Sequence, residues 1–297
     1  MTKKDIYQAI TDRVIDQLES GVAPWVSPIS AAGLPKSLTT KKDYRGINIF
    51  LLWNAPYDSR FWVTYNQAKK LGGHVRKGQK GSPVVFWHWR TDEEIARLAQ
   101  KTPNPAPCHP FYYTVFNVKQ CEGIEAPADD IKTFEHSPIE ECERIIAAMP
   151  NRPEIKPSFT DRICYAPSED AVYIHGIHRF TTVERYYASL FHELAHATGH
   201  ESRLNRQASD KHREFGSPDY SFEELVAEMT AAFLCAHCGI ANQAFDQSAS
   251  YINGWLEVFR KDTKILLEAS GAAQKAADYI LNRSFEAEEQ AEEKIAA

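Results

Sequence analysis

The sequence predicts an α+β protein of two domains, an N-terminal α+β domain and a C-terminal domain organised around one metal-binding helix. Three observations carry this expectation. Short strand and turn patterns concentrate in the first 120 residues, whereas residues 181–239 read as long helices with apolar faces. Charge divides the same way: residues 1–120 hold 17 Lys and Arg against 9 Asp and Glu, while residues 121–297 hold 17 against 31. Finally, residues 192–196 read His-Glu-Leu-Ala-His. The boundary falls where prolines and acids replace the basic, aromatic texture, in "EGIEAPADDIKTFEHSPIEE". Residues 1–125 are therefore expected to be the first domain, 126–148 a linker region and 149–297 the second domain.

Composition excludes several classes. Of 297 residues, 43% are hydrophobic and 25% charged, as in an ordinary globular protein. No apolar run approaches the length that spans a bilayer, so no membrane partner is expected. "MTKKDIYQAITDR" is too charged for a secretory signal, and the expected location is the cytoplasm. Cys108, Cys121, Cys142, Cys164, Cys235 and Cys238 are scattered through the chain and are expected to be reduced thiols there.

In chain order, "TKKDIYQAITDRVIDQLESG" places Ile6, Tyr7, Ile10, Val14, Ile15 and Leu18 at helical spacing, with Gly21 to end the helix. "VAPWVSPISAAGLPKS" reads as loop. "YRGINIFLLWNA" suits a helix or a buried strand. "FWVTYNQAKKLGGHVRKGQKGSPVVFWHWR" gives a short helix through "YNQAKKLG", then strand, turn at Gly78 and Gly81, and strand. "HPFYYTVFNVKQ" is a further strand.

Residues 36–90 contain 11 Lys and Arg but only Asp43 and Asp58 as acids, interleaved with Tyr44, Trp53, Tyr57, Phe61, Trp62, Tyr65, Phe86, Trp87 and Trp89. Cations that follow phosphates, with exposed rings that stack on bases, make a sequence-tolerant site for single-stranded nucleic acid. A solvated basic face over an aromatic core is the competing reading. Neither a recognition helix nor zinc-finger spacing points to duplex. The residues expected to meet a strand of single-stranded DNA are Lys41, Lys42, Arg45, Trp53, Lys69, Lys70, Arg76, Lys77, Lys80 and Trp87.

The second half carries the chemistry. Thr181 and Glu184 form a capping-box pair, Gly199 can end the helix, and Val183, Tyr187, Leu190, Phe191 and Leu194 give it an apolar face. His192 and His196, four apart, share one side of that helix, the separation two imidazoles need to hold one Zn²⁺. Glu193 beside them could take a proton from a metal-bound water and is the catalytic candidate. His200 lies about 12 Å further along the axis than His192 and is a poor third ligand. Ser202 breaks the longer H-E-x-x-H-x-x-G-x-x-H pattern. A carboxylate on "SPDYSFEELVAEMTAAFLCAHCG" remains, a helix from Ser217-Pro218 to Gly239 with Glu224 and Glu228 one turn apart. That segment resembles the E-x-x-A-[DN] helix of Glu-type zinc peptidases, which makes Glu224 the third ligand and Glu228 the group that holds a ligating histidine. Ser221 as a cap paired with Glu224 would instead leave Glu228 to bind the ion. The cofactor is one divalent ion, zinc first and manganese as the alternative. "CAHC" lies inside a helix without a second Cys pair and reads as buried thiols. "SRLNRQASDKHREFG" is a polar loop, and "FEAEEQAEEKIAA" an acidic tail without an assigned role.

Together these segments resemble the ArdC-type antirestriction proteins of conjugative plasmids. The likeness is carried by "GVAPW", "YRGINIFLLW", "FWVTYNQAKKLGGHVRKGQKG" and "VFNVKQCEG" in the first half, and by "YYASLFHELAHATGHESRLNR" and "EELVAEMTAAFLCAHCGI" in the second. It implies an N-terminal single-stranded DNA-binding domain, a kind also found in plasmid primases, joined to a zincin-like metallopeptidase domain. It further implies protection of incoming plasmid DNA from host restriction. Two functional classes follow: a metallopeptidase that cuts a host protein and is localised by DNA, or a single-strand-binding shield whose zincin domain is structural or regulatory.

Overall fold

The computed structural model describes residues 6–20, 23–25, 34–53, 55, 57, 59–100, 103–105, 107–125, 127, 138–159, 163–206, 218–240 and 249–283. Gly21, most of the loop before residue 34, residues 207–217 and the acidic tail lie outside them.

Helix α1 (Ile6–Glu19) buries Ile10, Val14 and Leu18 on the predicted stripe. Strand β1 (Lys36–Ser37) leads to α2 (Ile47–Trp53), where all six residues from Ile47 to Leu52 are buried. That segment suited helix or strand; it is a helix covered on all sides. Strand β2 (Phe61–Thr64) runs straight into α3 (Tyr65–Lys70), because Thr64 and Gln67 cap each other reciprocally. After β3 (His74–Val75) come β4 (Ser82–Trp89), α4 (Asp92–Ala99), β5 (Cys108–Asn117) and β6 (Cys121–Glu122). The turn into β4 needs its glycines: Gly78 has φ +85°, and a Cβ on Gly81 would lie 2.8 Å from the carbonyl oxygen of Val115. Strands β4 and β5 pair antiparallel from Ser82 opposite Val115 to Trp89 opposite Cys108, in a four-stranded sheet ordered β1-β2-β5-β4.

The second half contains α5 (Pro138–Ala148), β7 (Glu154–Pro157), β8 (Cys164–Ala166), β9 (Ala171–Ile174), α6 (Val183–Thr198), α7 (Pro218–Cys238), α8 (Ala249–Lys261) and α9 (Ile265–Ile280). Its sheet is ordered β7-β9-β8, with β7 parallel and β8 antiparallel to β9. Three expectations change. Residues 138–148 of the expected linker form α5, which buries Cys142, Ile145 and Ile146 against the other helices; residues 128–137 lie outside the described ones. The cap of α6 is Thr182, one residue later than expected, because its extended backbone brings Oγ1 within 3.1 Å of the Arg185 N–H. Helix α7 already begins at Pro218, so Ser221 is inside the helix and is not its cap.

One apolar core serves both halves. Trp25 is fully buried with its ring edge-on to Trp255 at 5.8 Å and Phe259 at 6.0 Å, both on α8. Phe50 of α2 stacks on Phe233 of α7 at 5.1 Å. Buried Asn48 ties α2 to β4 by bonding both the N–H and the carbonyl of Val85, at 2.6 and 2.7 Å. Arg45 pairs with Asp278 of α9, and Gln274 accepts a hydrogen bond from the Gly46 N–H at 3.0 Å. The two halves are therefore expected to unfold together in calorimetry. Phe50→Ala should cost about 3–5 kcal/mol and lower the midpoint of one joint transition. Two separate transitions, with only one moved by Phe50→Ala, would contradict the shared core.

Candidate metal centre

Helix α6 buries Tyr187, Leu190, Phe191 and Leu194 and so fixes the rotation of the helix about its axis. That rotation turns His192 and His196 toward α7. Their Nε2 atoms lie 3.0 Å apart, and the two oxygens of Glu224 stand 3.6 Å from His192 Nε2 and 3.5 Å from His196 Nε2. Ligand metal bonds near 2.1 Å in a tetrahedron put neighbouring donors about 3.4 Å apart. The donor set and its spacing thus fit one divalent ion, with a position left for water. Among the described residues this is the only group of three or more His, Cys, Asp or Glu side chains close enough to hold a metal. His200 is outside it, its Nδ1 2.9 Å from Ser202 Oγ. Glu228 is buried one turn beyond Glu224. Burial disfavours the charged form of His192, but Glu224, Glu193 and Glu228 outweigh it and hold its pKa above the ordinary value.

Glu193 projects to another side of α6, toward β8. Its Oε2 accepts a hydrogen bond from the Tyr165 N–H at 2.7 Å, and burial raises its pKa above the usual carboxylate value. The strand is held in turn by Arg203, whose side chain is fully buried. Arg203 donates to the carbonyls of Ala197 and Asn151, each at 2.7 Å, to the Tyr165 hydroxyl at 3.2 Å, and to Asp170. Arg206 donates to Thr198 Oγ1 and the Ala195 carbonyl at 2.8 and 3.0 Å and pairs with buried Glu223 of α7. The sequence offered no signal for either arginine: both sit in a polar loop, and only the folded chain shows which carbonyls they reach. Cys235 and Cys238 are buried in the core, as expected of structural thiols.

The residues expected to meet DNA fall into four places. Lys69 and Lys70 on α3, and Arg76, Lys77 and Lys80 in the β3–β4 connection, are exposed, with Arg76 also donating to the Lys119 carbonyl. Trp87 is exposed on β4, joined on the same sheet face by Trp89 and Tyr112, which the contact prediction missed. For Trp89 the signal was the period-two alternation of "FWHW". Trp53 is half-buried against the core, and Phe61 and Trp62 are buried, so these rings pack and do not stack on a ligand. Lys41, Lys42 and Arg45 line a separate cavity against α7 and α9.

Residues 4–116 match the N-terminal domain of the anti-restriction factor ArdC, and residues 140–273 a zincin-like metallopeptidase family. The antirestriction protein ArdC of the R388 plasmid, in its Mn(II)-bound crystal structure, is 33% identical with a TM-score of 0.73, covering 94% of this chain and 97% of its own. Its metal-free structure is 35% identical with a TM-score of 0.74, covering 95% and 100%. This chain belongs to the ArdC family. An uncharacterized protein of Sinorhizobium fredii, y4eC, is 34% identical over 94% of this chain and 92% of its own length. A DNA primase TraC of Escherichia coli is 33% identical over 94% of this chain, which spans only 27% of that primase. The ArdC family thus accounts for both halves, the N-terminal one and the zincin-like one. No described helix is long and apolar enough to cross a membrane.

Substitutions are expected to change both metal content and fold stability. Replacing both His192 and His196 with Ala should remove bound divalent metal, whereas Glu193→Gln should retain it. Glu224→Ala should lower affinity severely and Glu228→Ala by roughly 10–100-fold, as read by elemental analysis and titration. Metal retained without the histidines would sink the site, and a larger loss from Glu228→Ala would exchange the two carboxylates. Arg203→Ala should destabilise the fold by about 3 kcal/mol, since it strips partners from buried carbonyls. Asp170 is held below the usual carboxylate range, chiefly by Arg203. Its contribution is complete above its unfolded value, about 4, and is lost as pH falls through the lower folded value. Asp170→Asn should therefore flatten the acid limb of the stability curve; an unchanged limb would count against the clamp.

Proposed function

We propose that the protein is an antirestriction factor that binds single-stranded DNA through its N-terminal half and cleaves a host protein at a zincin-like site, protecting incoming plasmid DNA. The observation that carries this reading is the convergence of His192, His196 and Glu224 on one point, with buried Glu193 on the next position of the same helix. The R388 relative was crystallised with Mn(II), which supports a divalent ion here, zinc or manganese. When bound, the ion polarises a peptide carbonyl and acidifies a water. The chain does the rest. His192, His196 and Glu224 would hold the ion, while Glu193, with Oε2 anchored by the Tyr165 N–H, takes a proton from water. A carboxylate whose pKa is raised by burial, as that of Glu193 is, is a better base near neutrality than an exposed one.

The DNA reading is supported by the exposed rings of Trp87, Trp89 and Tyr112 and by the cations of α3 and the β3–β4 connection. Stacking on such rings contributes about 1–3 kcal/mol per base. The domain limits proposed are 1–125 and, beginning at α5, 138–297.

The deciding variant is Glu193→Gln. It should abolish protection of transferred DNA while single-strand binding and metal content persist. Full protection by Glu193→Gln would remove proteolysis and leave the shield reading. Charge reversal at Lys69, Lys70, Arg76 and Lys77 in the full chain should weaken binding to any single strand and flatten its salt dependence. Unchanged gel shifts would move the interface elsewhere.

A further inference from the structure

A cavity of about 260 Å³ lies where the loop between β1 and α2 meets α7 and α9. It belongs neither to the metal centre nor to the exposed rings of β4 and β5. Among the described residues its lining carries Lys41, Lys42, Arg45 and Arg283, against one carboxylate, Asp43. Asp43 is engaged by Lys36 at 3.4 Å, and Arg45 by Asp278. Among the described residues, no carboxylate lies within ion-pair distance of Lys41, Lys42 or Arg283. Lys41 also adopts φ 60°, a left-handed conformation rare for lysine that costs of order 1 kcal/mol and collects at ligand sites. Below the cations the walls turn apolar, with Ile49, Phe233 and Leu281.

We propose that this cavity binds a phosphate-bearing ligand of mononucleotide size, free or at the 5′ end of a strand. Lys41, with its ammonium 5.5 Å over the Phe61 ring, Lys42, and Arg283, 3.5 Å from His237 Nδ1, bring positive charge to one cavity with no carboxylate paired to them among the described residues. Phosphate oxygens accept several charge-assisted bonds at once. The apolar walls would take the sugar and base. The volume is close to the lower end of the roughly 300–1,000 Å³ of small-molecule sites, too small for a strand to thread through. The assignment stands whether or not Glu193 supports proteolysis.

The test is titration calorimetry of the full chain with dAMP, deoxyadenosine, and (dT)8 carrying either a 5′-phosphate or a 5′-hydroxyl. dAMP should bind on the order of tenfold or more tightly than deoxyadenosine. The Lys42→Gln, Arg283→Gln double variant should remove that preference, whereas Arg97→Gln with Lys261→Gln, which lie outside the cavity, should keep it. Lys42→Gln alone, the milder change, should weaken dAMP binding in the same direction. A 5′-phosphate preference in (dT)8 that vanishes in the double variant assigns the site to a strand end; dAMP binding without that preference assigns it to a free nucleotide. Equal binding of dAMP and deoxyadenosine overturns the proposal, as does dAMP binding unaffected by Lys42→Gln.

Discussion

The packing of α6 against α7 is the constraint on which the rest of the molecule depends. Two of the three candidate ligands sit on one helix and the third on the other, so the site exists only while the helices hold their mutual rotation and height. Apolar contact sets the rotation: Leu190, Phe191 and Leu194 are buried on α6, and Leu225, Val226 and Met229 on α7. Small residues on α7, Ala227, Ala231 and Ala232, allow neighbouring backbones to come close. Arg206 adds a polar clamp, joining the last turn of α6 to Glu223, the residue before the candidate ligand Glu224. An arginine fork suits this task because it satisfies a helix-end carbonyl and a carboxylate together.

Helices α7 and α9 reach into the first half of the chain. Phe233 of α7 stacks on Phe50, and Asp278 of α9 holds Arg45. The N-terminal sheet keeps smaller apolar clusters of its own, around Val63 and around Val84 and Val115. Its helices α1 and α2, in contrast, give their apolar faces to the common core. The β1–α2 loop and α7 line one cavity, and α7 also carries Glu224, so the two sites share one helix.

Much of the site was legible because its information is local. The four-residue spacing of His192 and His196 needs only a helix, and the apolar stripe of Tyr187, Leu190 and Leu194 supplies it. Gly239 marks the end of α7 by its left-handed backbone, φ 71°. The β4–β5 pairing follows from alternation and glycine. What stayed hidden is tertiary. Residues 138–148 carry enough polar side chains to pass for linker, and only neighbours on α6, α7 and α9 reveal that Ile145 and Ile146 are core. The choice of Thr182 over Thr181 rests on one extended backbone pair. The Tyr165 N–H and Arg203 reach side chains 28 or more residues away, and Arg206 reaches the Ala195 carbonyl and Glu223, pairings no composition can mark. Trp53 and Trp87 look alike in sequence, yet Trp53 packs against the core while Trp87, edge-on to Tyr7 at 6.5 Å, keeps 38% of its surface exposed.

X-ray absorption spectroscopy on the metal-loaded full chain tests the central claim most directly, because it reads the ligands themselves. The structure predicts two imidazole nitrogens and one carboxylate, completed by light oxygen donors, with no sulfur at the ~2.3 Å of a thiolate bond. A sulfur shell from any cysteine, or a single imidazole, would contradict the pairing of α6 and α7 as the source of the site.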